Sequence, residues 1–288
     1  MMVVFNVADL SALEILDSRG RPTLAVTVRL ADGTMASARV PSGASTGSRE
    51  AVERRDGDPA RYEGKGVLGA VAAVNTEIAG LLRGRSWPSL AEADQAVIAL
   101  DGTANKSRLG ANATVGVSMA LARALADSAG VPLWQWLTPD GVTPSLPVPH
   151  FNVLNGGVHA PNELDFQEFM IAPVGAPSMA EAVRAGAEVY AALRRELTSR
   201  KLSTGLGDEG GFAPEITQPE DVLRLLVQAI GDAGYKTGAE GVSIALDPAS
   251  SEFRQPDGRY QVAGDLLTSA EMIDRYAAIT QQFPVHLI

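Results

Sequence analysis

Two rhythms of apolar residues, divided by one break, constrain what this chain can fold into more than any other feature. The break is Thr138-Pro139-Asp140-Gly141-Val142-Thr143-Pro144, a cluster of turn-forming residues that reads as a linker. Before it, Leu24, Val26, Val28 and Leu30 alternate with Ala25, Thr27 and Arg29, the period of a half-buried strand. Asp32-Gly33 is a hairpin signal, and Thr34 to Val40 is expected to return antiparallel. Pro41 to Gly47 is small and polar and is expected to be a mobile loop. Leu68, Val71, Val74, Ile78 and Leu81 recur at helical spacing, as do Leu109, Val115, Met119 and Leu121. A strand meander followed by helices predicts an α+β domain over residues 1–137.

After the break the rhythm changes. Val148 to Leu154, Phe166 to Pro173 and Val242 to Leu246 read as strands, and Val285 to Ile288 as a strand just beginning. Helices are predicted at Met179–Arg200 (with Val183, Ala187, Tyr190, Leu193 and Leu197 inward), Pro219–Ile230 and Ser269–Gln281. Strands apolar on both faces and alternating with helices predict a parallel sheet or barrel over residues 145–288. In such folds chemistry sits at the carboxyl ends of the strands.

Charge and composition exclude several functions. Lys and Arg total 24 against 34 Asp and Glu, a formal net charge of −10. Phosphate-backbone binding needs a basic face, so nucleic acid is not expected as the primary partner. There are 0 cysteines, which removes disulfides, thiolate metal sites and thiol nucleophiles. Met1 to Asn6 lacks the basic start of a secretory signal. The most apolar stretch, Leu109 to Ala126, is interrupted by Asn112, Thr114, Ser118 and Arg123 and is expected to be a buried helix, not a membrane span.

Familiar motifs mostly fail on context. Gly205-Leu206-Gly207-Asp208-Glu209-Gly210 spells a dinucleotide fingerprint, but a helix precedes it and Gly211-Phe212-Ala213-Pro214 follows. His150, His159 and His286 are too few to suggest a histidine-rich zinc cage. What remains is carboxylates at strand ends: Asp247 after an apolar run, Glu168 beside Gln167, and Glu209 beside Asp208. Hard cations such as Mg²⁺ prefer oxygen ligands, and such a set suits a metal-assisted reaction on a small anion. Solvated surface charge is the plain alternative for any one of these acids. A turn explains the glycines around Glu209 as well as close approach to a ligand does, and His159 reads equally as a loop histidine.

Longer motifs narrow the choice. Pro41-Ser-Gly-Ala-Ser-Thr-Gly47, Arg55-Asp-Gly-Asp58, Gly64-Lys-Gly-Val67, Leu100-Asp-Gly-Thr-Ala-Asn-Lys-Ser107 and Leu109-Gly-Ala-Asn112 occur in the first part. Asn155-Gly-Gly157 with His159-Ala160, Gln167-Glu-Phe-Met-Ile-Ala-Pro173, Gly207-Asp-Glu-Gly-Gly-Phe-Ala-Pro214 and Leu246-Asp-Pro-Ala-Ser-Ser-Glu-Phe253 follow. In order and spacing the series resembles the enolase (phosphopyruvate hydratase) family, from about residue 10 to residue 288.

The resemblance implies an α+β N-terminal domain followed by a TIM-like β/α barrel that begins with two antiparallel strands. It implies a cytoplasmic lyase of glycolysis and gluconeogenesis, homodimeric or larger, that dehydrates 2-phosphoglycerate to phosphoenolpyruvate with two Mg²⁺ ions. Asp247 resembles the first of three carboxylate ligands of the tight Mg²⁺, and Ser45 the loop residue that completes the second. Glu209 resembles the general acid, with Glu168 beside it, and His159 and Gln167 resemble substrate-binding residues.

Leu13, Arg21 and Pro248 depart from the family pattern, Leu13 at a position tied to dimer contacts. Ile288 matches the residue just before the family's Glu-Asp pair, which places the other ligands and the general-base lysine after it. By that reading the chain is C-terminally shortened, its barrel incomplete and its own activity negligible. A superfamily racemase or acid-sugar dehydratase would carry a Lys-x-Lys base, and the sequence has none. A non-catalytic enolase-like fragment or binding protein is the alternative of a different class.

Overall fold

A computed structural model describes residues 4–43, 47 and 49–288. Two compact units divide at the break, Met1–Pro144 and Ser145–Ile288.

In the first unit, strands β1 (Phe5–Leu16), β2 (Pro22–Leu30), β3 (Met35–Arg39) and β4 (Ser86–Trp87) form an antiparallel sheet in the order β3-β2-β1-β4. The alternation read in β2 is real: Leu24, Val26, Val28 and Leu30 are buried. Helices α1 (Leu68–Ala73) and α2 (Ala79–Leu82) are joined by a π turn, Val74–Ile78, and α3 (Leu90–Asp101), α4 (Ala111–Ser128) and α5 (Leu133–Leu137) follow. Two positions expected in the core are outside it, Leu68 at 48% exposure and Val115 at 45%. The π turn accommodates an extra residue and shifts the phase of the first helix. In α4 the buried face is Ala113, Gly116, Val117 and Ala120, because helix and sheet approach closely. A Cβ on Gly116 would lie 2.7 Å from Val26 Cγ2.

The second unit contains β5 (Phe151–Asn155), β6 (Glu168–Ala172), α6 (Met179–Ser199), α7 (Pro219–Asp232), β7 (Ser243–Asp247), β8 (Tyr260–Val262), β9 (Asp265–Leu267), α8 (Ser269–Gln282) and β10 (Val285–Leu287). Its main sheet has the order β10-β7-β6-β5. Rhythm alone suggested a parallel sheet or barrel, but only β7 and β10 pair in parallel; β5–β6 are antiparallel, as the resemblance implied for the first two barrel strands, and β6–β7 are antiparallel too. Connectivity explains the difference. No crossover helix lies between β5 and β6, and parallel neighbours need one. Between β6 and β7 there are two packed helices, and the second reverses the chain once more. A single helix, α8, brings β10 back parallel.

The inward face of α6 holds Leu193 and Leu197 as expected, but its first half is displaced. Val183 and Ala187 face solvent, and Ala182, Ala185, Gly186, Val189 and Leu193 are buried. Gly186 sits against the Phe151 ring, where a Cβ would be 2.6 Å from Cε2, so the smallest residues had to face the sheet. Phe166, Phe169 and Phe212 are fully buried in this core, each contributing about 1.5–3 kcal/mol of apolar transfer.

Candidate active site

The site grows from one end of the β5-β6-β7 sheet. Register sets Asn155 opposite Glu168 and Glu168 opposite Asp247, so the last residues of β5 and β7 flank the first residue of β6. The chain then leaves β5 through Gly156 and the 3₁₀ turn Gly157–His159. Gly157 adopts φ +52, and its N–H donates to the Leu164 carbonyl at 2.6 Å, closing the loop over the sheet. His159 is thereby buried at 3% exposure.

The segment carrying Glu209 is stitched to this end by backbone hydrogen bonds. Asn155 N–H donates to Phe212 O at 2.8 Å, Phe212 N–H to Val153 O at 2.9 Å, and Asp208 N–H to His159 O at 2.9 Å. Gly210 N–H donates to Gly207 O at 3.2 Å, which puts Glu209 at the tip of a turn. The open choice about the neighbouring glycines is now settled. Gly210 supplies the turn with φ +84, whereas Gly207 and Gly211 permit close approach to the protein itself. A Cβ on Gly211 would lie 2.2 Å from Asn155 Oδ1 and 2.8 Å from Leu154 N.

The result is a compact cluster. His159 Nδ1 is 3.6 Å from Glu168 Oε1 and 3.7 Å from Glu209 Oε1. Ligand atoms of His159, Glu168 and Glu209 all lie within 4.8 Å of one another, which no other such trio does among the described residues. Burial, then the hydrogen bond and charge of Glu209, then the charge of Asp247, push the Glu168 carboxyl up to about 7, against a smaller downward pull from Gln167. Two carboxyls this close cannot both ionise freely, so near neutral pH the pair holds a proton. Asn152 Nδ2 donates to Glu209 Oε2 at 3.0 Å, which fixes the orientation of that carboxylate.

Of the residues singled out from sequence, His159, Gln167, Glu168, Glu209 and Asp247 converge on this end of the sheet. Gln167 is buried, with its carbonyl accepting from Gly156 N–H at 2.9 Å. Asp247 ends β7 exposed, one carboxylate oxygen accepting from Ala249 N–H at 2.9 Å. It offers a hard oxygen donor, which fits Mg²⁺; the nitrogen-containing cluster around His159 suits a hard cation less well. Ser45 lies outside the described residues.

Sequence reasoning assigned no role to Asn152 and Asn155. They are an odd number of residues apart, which in a regular strand puts them on opposite faces. A register irregularity between Asn152 and Leu154 breaks that alternation, and both asparagines meet the 207–211 turn. The available signal was two amides in an otherwise apolar five-residue strand.

The enolase N-terminal domain family matches residues 7–137, and the enolase C-terminal TIM barrel domain family matches residues 143–288. These domains belong to a lyase-type enzyme family that generally binds Mg²⁺. No helix among the described residues is long and apolar enough to cross a membrane. The second match runs through the strands and turns that assemble the carboxylate cluster, and together the two span nearly all of the sequence: the chain belongs to the enolase family.

Proposed function

We propose that the chain carries the proton-donating side of an enolase site, for Mg²⁺-dependent dehydration of 2-phosphoglycerate to phosphoenolpyruvate. The observation that carries the reading is the Glu168–Glu209 pair, with Glu168 raised to about 7 beside Asp247. Hydroxide is a poor leaving group, so departure of the C3 hydroxyl needs a proton delivered as the bond breaks. A carboxyl that is partly protonated near neutral pH can supply it. Glu209 takes the donor role, at the tip of its turn and 38% exposed, and Glu168 keeps the shared proton available from below. Asn152 orients Glu209, while His159 and Gln167 form the wall against which the substrate lies. Asp247 is the protein donor for Mg²⁺, which when bound would oppose the negative charge that builds on the substrate carboxylate. Ser45 is assigned to the second ion by resemblance alone. The same reading carries a cytoplasmic place in glycolysis or gluconeogenesis and a homodimeric or larger assembly.

The competing reading is an enolase-like binding protein without catalysis. It is favoured by the main sheet, which among the described residues has four strands where a closed β/α barrel has eight. One carboxylate in water holds Mg²⁺ weakly because the ion dehydrates reluctantly. Residues 1–288 by themselves should therefore turn over negligibly and bind Mg²⁺ weakly. The test follows phosphoenolpyruvate by absorbance, in residues 1–288 and in a protein that joins these residues to a closed barrel. Turnover by residues 1–288 within about tenfold of the closed-barrel protein, about 1.4 kcal/mol in barrier, would overturn that expectation. In the closed-barrel protein, Glu168→Gln should lower kcat with substrate binding retained. Unchanged kcat would remove the pair from the mechanism.

A further inference from the structure

The two histidines outside that cluster have been brought together from opposite ends of the second unit. His150 directly precedes β5 and His286 lies in β10, yet their Nε2 atoms are 3.2 Å apart. The ring centroids are 5.2 Å apart with the planes at 28°. His150 Nδ1 is 3.0 Å from the Val148 carbonyl oxygen. A carbonyl only accepts, so Nδ1 carries the proton and Nε2 presents its lone pair to His286. Burial and the neighbouring His150 hold His286 below the ordinary imidazole value, which favours its neutral form.

This arrangement is that of ligands prepared for a metal. Histidines that bind metal commonly donate their other ring N–H to a carbonyl or carboxylate, which fixes the tautomer. In tetrahedral zinc sites with Zn–N near 2.0–2.1 Å, two coordinated nitrogens lie about 3.3 Å apart and their ring centres about 5.2 Å apart. Both separations are matched by this pair.

We propose that His150 and His286 form a binding site for a first-row divalent transition-metal ion, with Zn²⁺ as the probe. The ion takes the place of the single proton shared between the Nε2 atoms. His286 then carries its proton on Nδ1, so binding to the neutral pair changes no net protonation. Imidazole nitrogens select zinc, copper or nickel over Mg²⁺, so the site is chemically separate from Asp247. Two protein ligands leave the other positions to water and make the ion exchangeable. Once bound, it links the segment before β5 to β10, the outer strands of the four-stranded order.

The experiment is calorimetric titration of residues 1–288 with zinc chloride, beside magnesium chloride, in the parent and in His150→Gln, His286→Gln, the double variant and His159→Gln. The last controls for the cluster of His159, Glu168 and Glu209. One Zn²⁺ should bind with an affinity that falls at least tenfold in each single variant of the pair and no further in the double, and that His159→Gln leaves intact. Zn²⁺ should also raise the unfolding midpoint of the parent but not of the double variant. Unchanged affinity in either single variant, or loss of that binding in His159→Gln, would overturn the proposal. Should a variant fail to fold, Ni²⁺ broadening of ring-proton resonances in the parent decides the matter. Broadening of both His150 and His286 supports the site, and broadening of His159 alone refutes it.

Discussion

The two units treat their buried polar groups in opposite ways. In the first, carboxylates close onto donors. Glu14 is held below its ordinary value chiefly by the Arg61 guanidinium and also accepts from Val67 N–H at 2.9 Å. Burial acts to raise Asp101, at 2% exposure, but hydrogen bonds from Thr103 and from Leu109 N–H at 2.7 Å outweigh it and leave it lowered. In the second unit, Asn152 Oδ1, both side-chain polar atoms of Asn155, both ring nitrogens of His159 and Asn162 Oδ1 are buried without a hydrogen-bond partner. Among the described residues of the first unit no buried side-chain polar atom is left so. Such groups are costly to leave unmade, and their presence in the unit that holds the raised Glu168 supports the proposal that a polar ligand binds at this end of the sheet. Glu14 and Asp101 are committed to holding the first unit together, whereas the second leaves the polar atoms of Asn155 and His159 unpaired.

The sharpest way to break that contrast is to remove one acid from each side. Glu209→Gln, in the protein with a closed barrel, should reduce turnover about 10²–10⁴-fold, with unfolding by denaturant nearly unchanged. A large stability loss with little kinetic effect would make Glu209 structural. Asp101→Ala should do the reverse, destabilising the first unit by about 3 kcal/mol as Leu109 and Thr103 N–H groups lose their acceptor, while Glu168 titrates as before.

A pH series separates the units more finely. Glu168 is raised on folding, so the folded protein binds more proton than the unfolded one between the ordinary value of 4.5 and about 7. Stability should be unpenalised below that window and should fall across it by about 2 kcal/mol, allowing for the partial exposure of the group. Denaturant midpoints measured across the window check this, and Glu168→Gln should flatten the slope. The smallest effect concerns neither site. Thr268 and Glu271 form a reciprocal capping box at the start of α8. Thr268→Ala should cost about 1 kcal/mol by thermal unfolding, with the Glu168 titration untouched.

How much of this was legible in the sequence follows from how local each feature is. The alternation in β2, the Asp32-Gly33 hairpin and the long helices depend on neighbours in the chain, and they were read with ends shifted by a few residues. Glu168 and Asp247 were legible as acids at strand ends, because a strand shows in its apolar run. Glu209 could be read only as an acid among glycines, since its placement depends on backbone contacts to Val153, Asn155 and His159. The asparagines were hidden by an irregularity that no period reveals. The face of α6 was misread because a pattern reports apolarity, whereas the closeness of Phe151 selected Gly186. The β8–β9 hairpin was missed for a related reason. Its turn is Ala263-Gly264, with both residues at positive φ, and alanine is not a turn signal there. Ala263 N–H donates to Asp165 Oδ2 at 2.6 Å, a contact 98 positions away in sequence that helps hold the turn.

The claim on which the account rests is that Glu168 and Glu209 hold a proton near neutral pH. The direct measurement is the pH titration of the Glu168 side-chain carboxyl carbon by NMR, in the parent and in Glu209→Gln. The expected midpoint is about 7 in the parent, falling towards the ordinary carboxylate range once Glu209 no longer carries a charge. A midpoint near 4.5 in the parent, unmoved by Glu209→Gln, would contradict it.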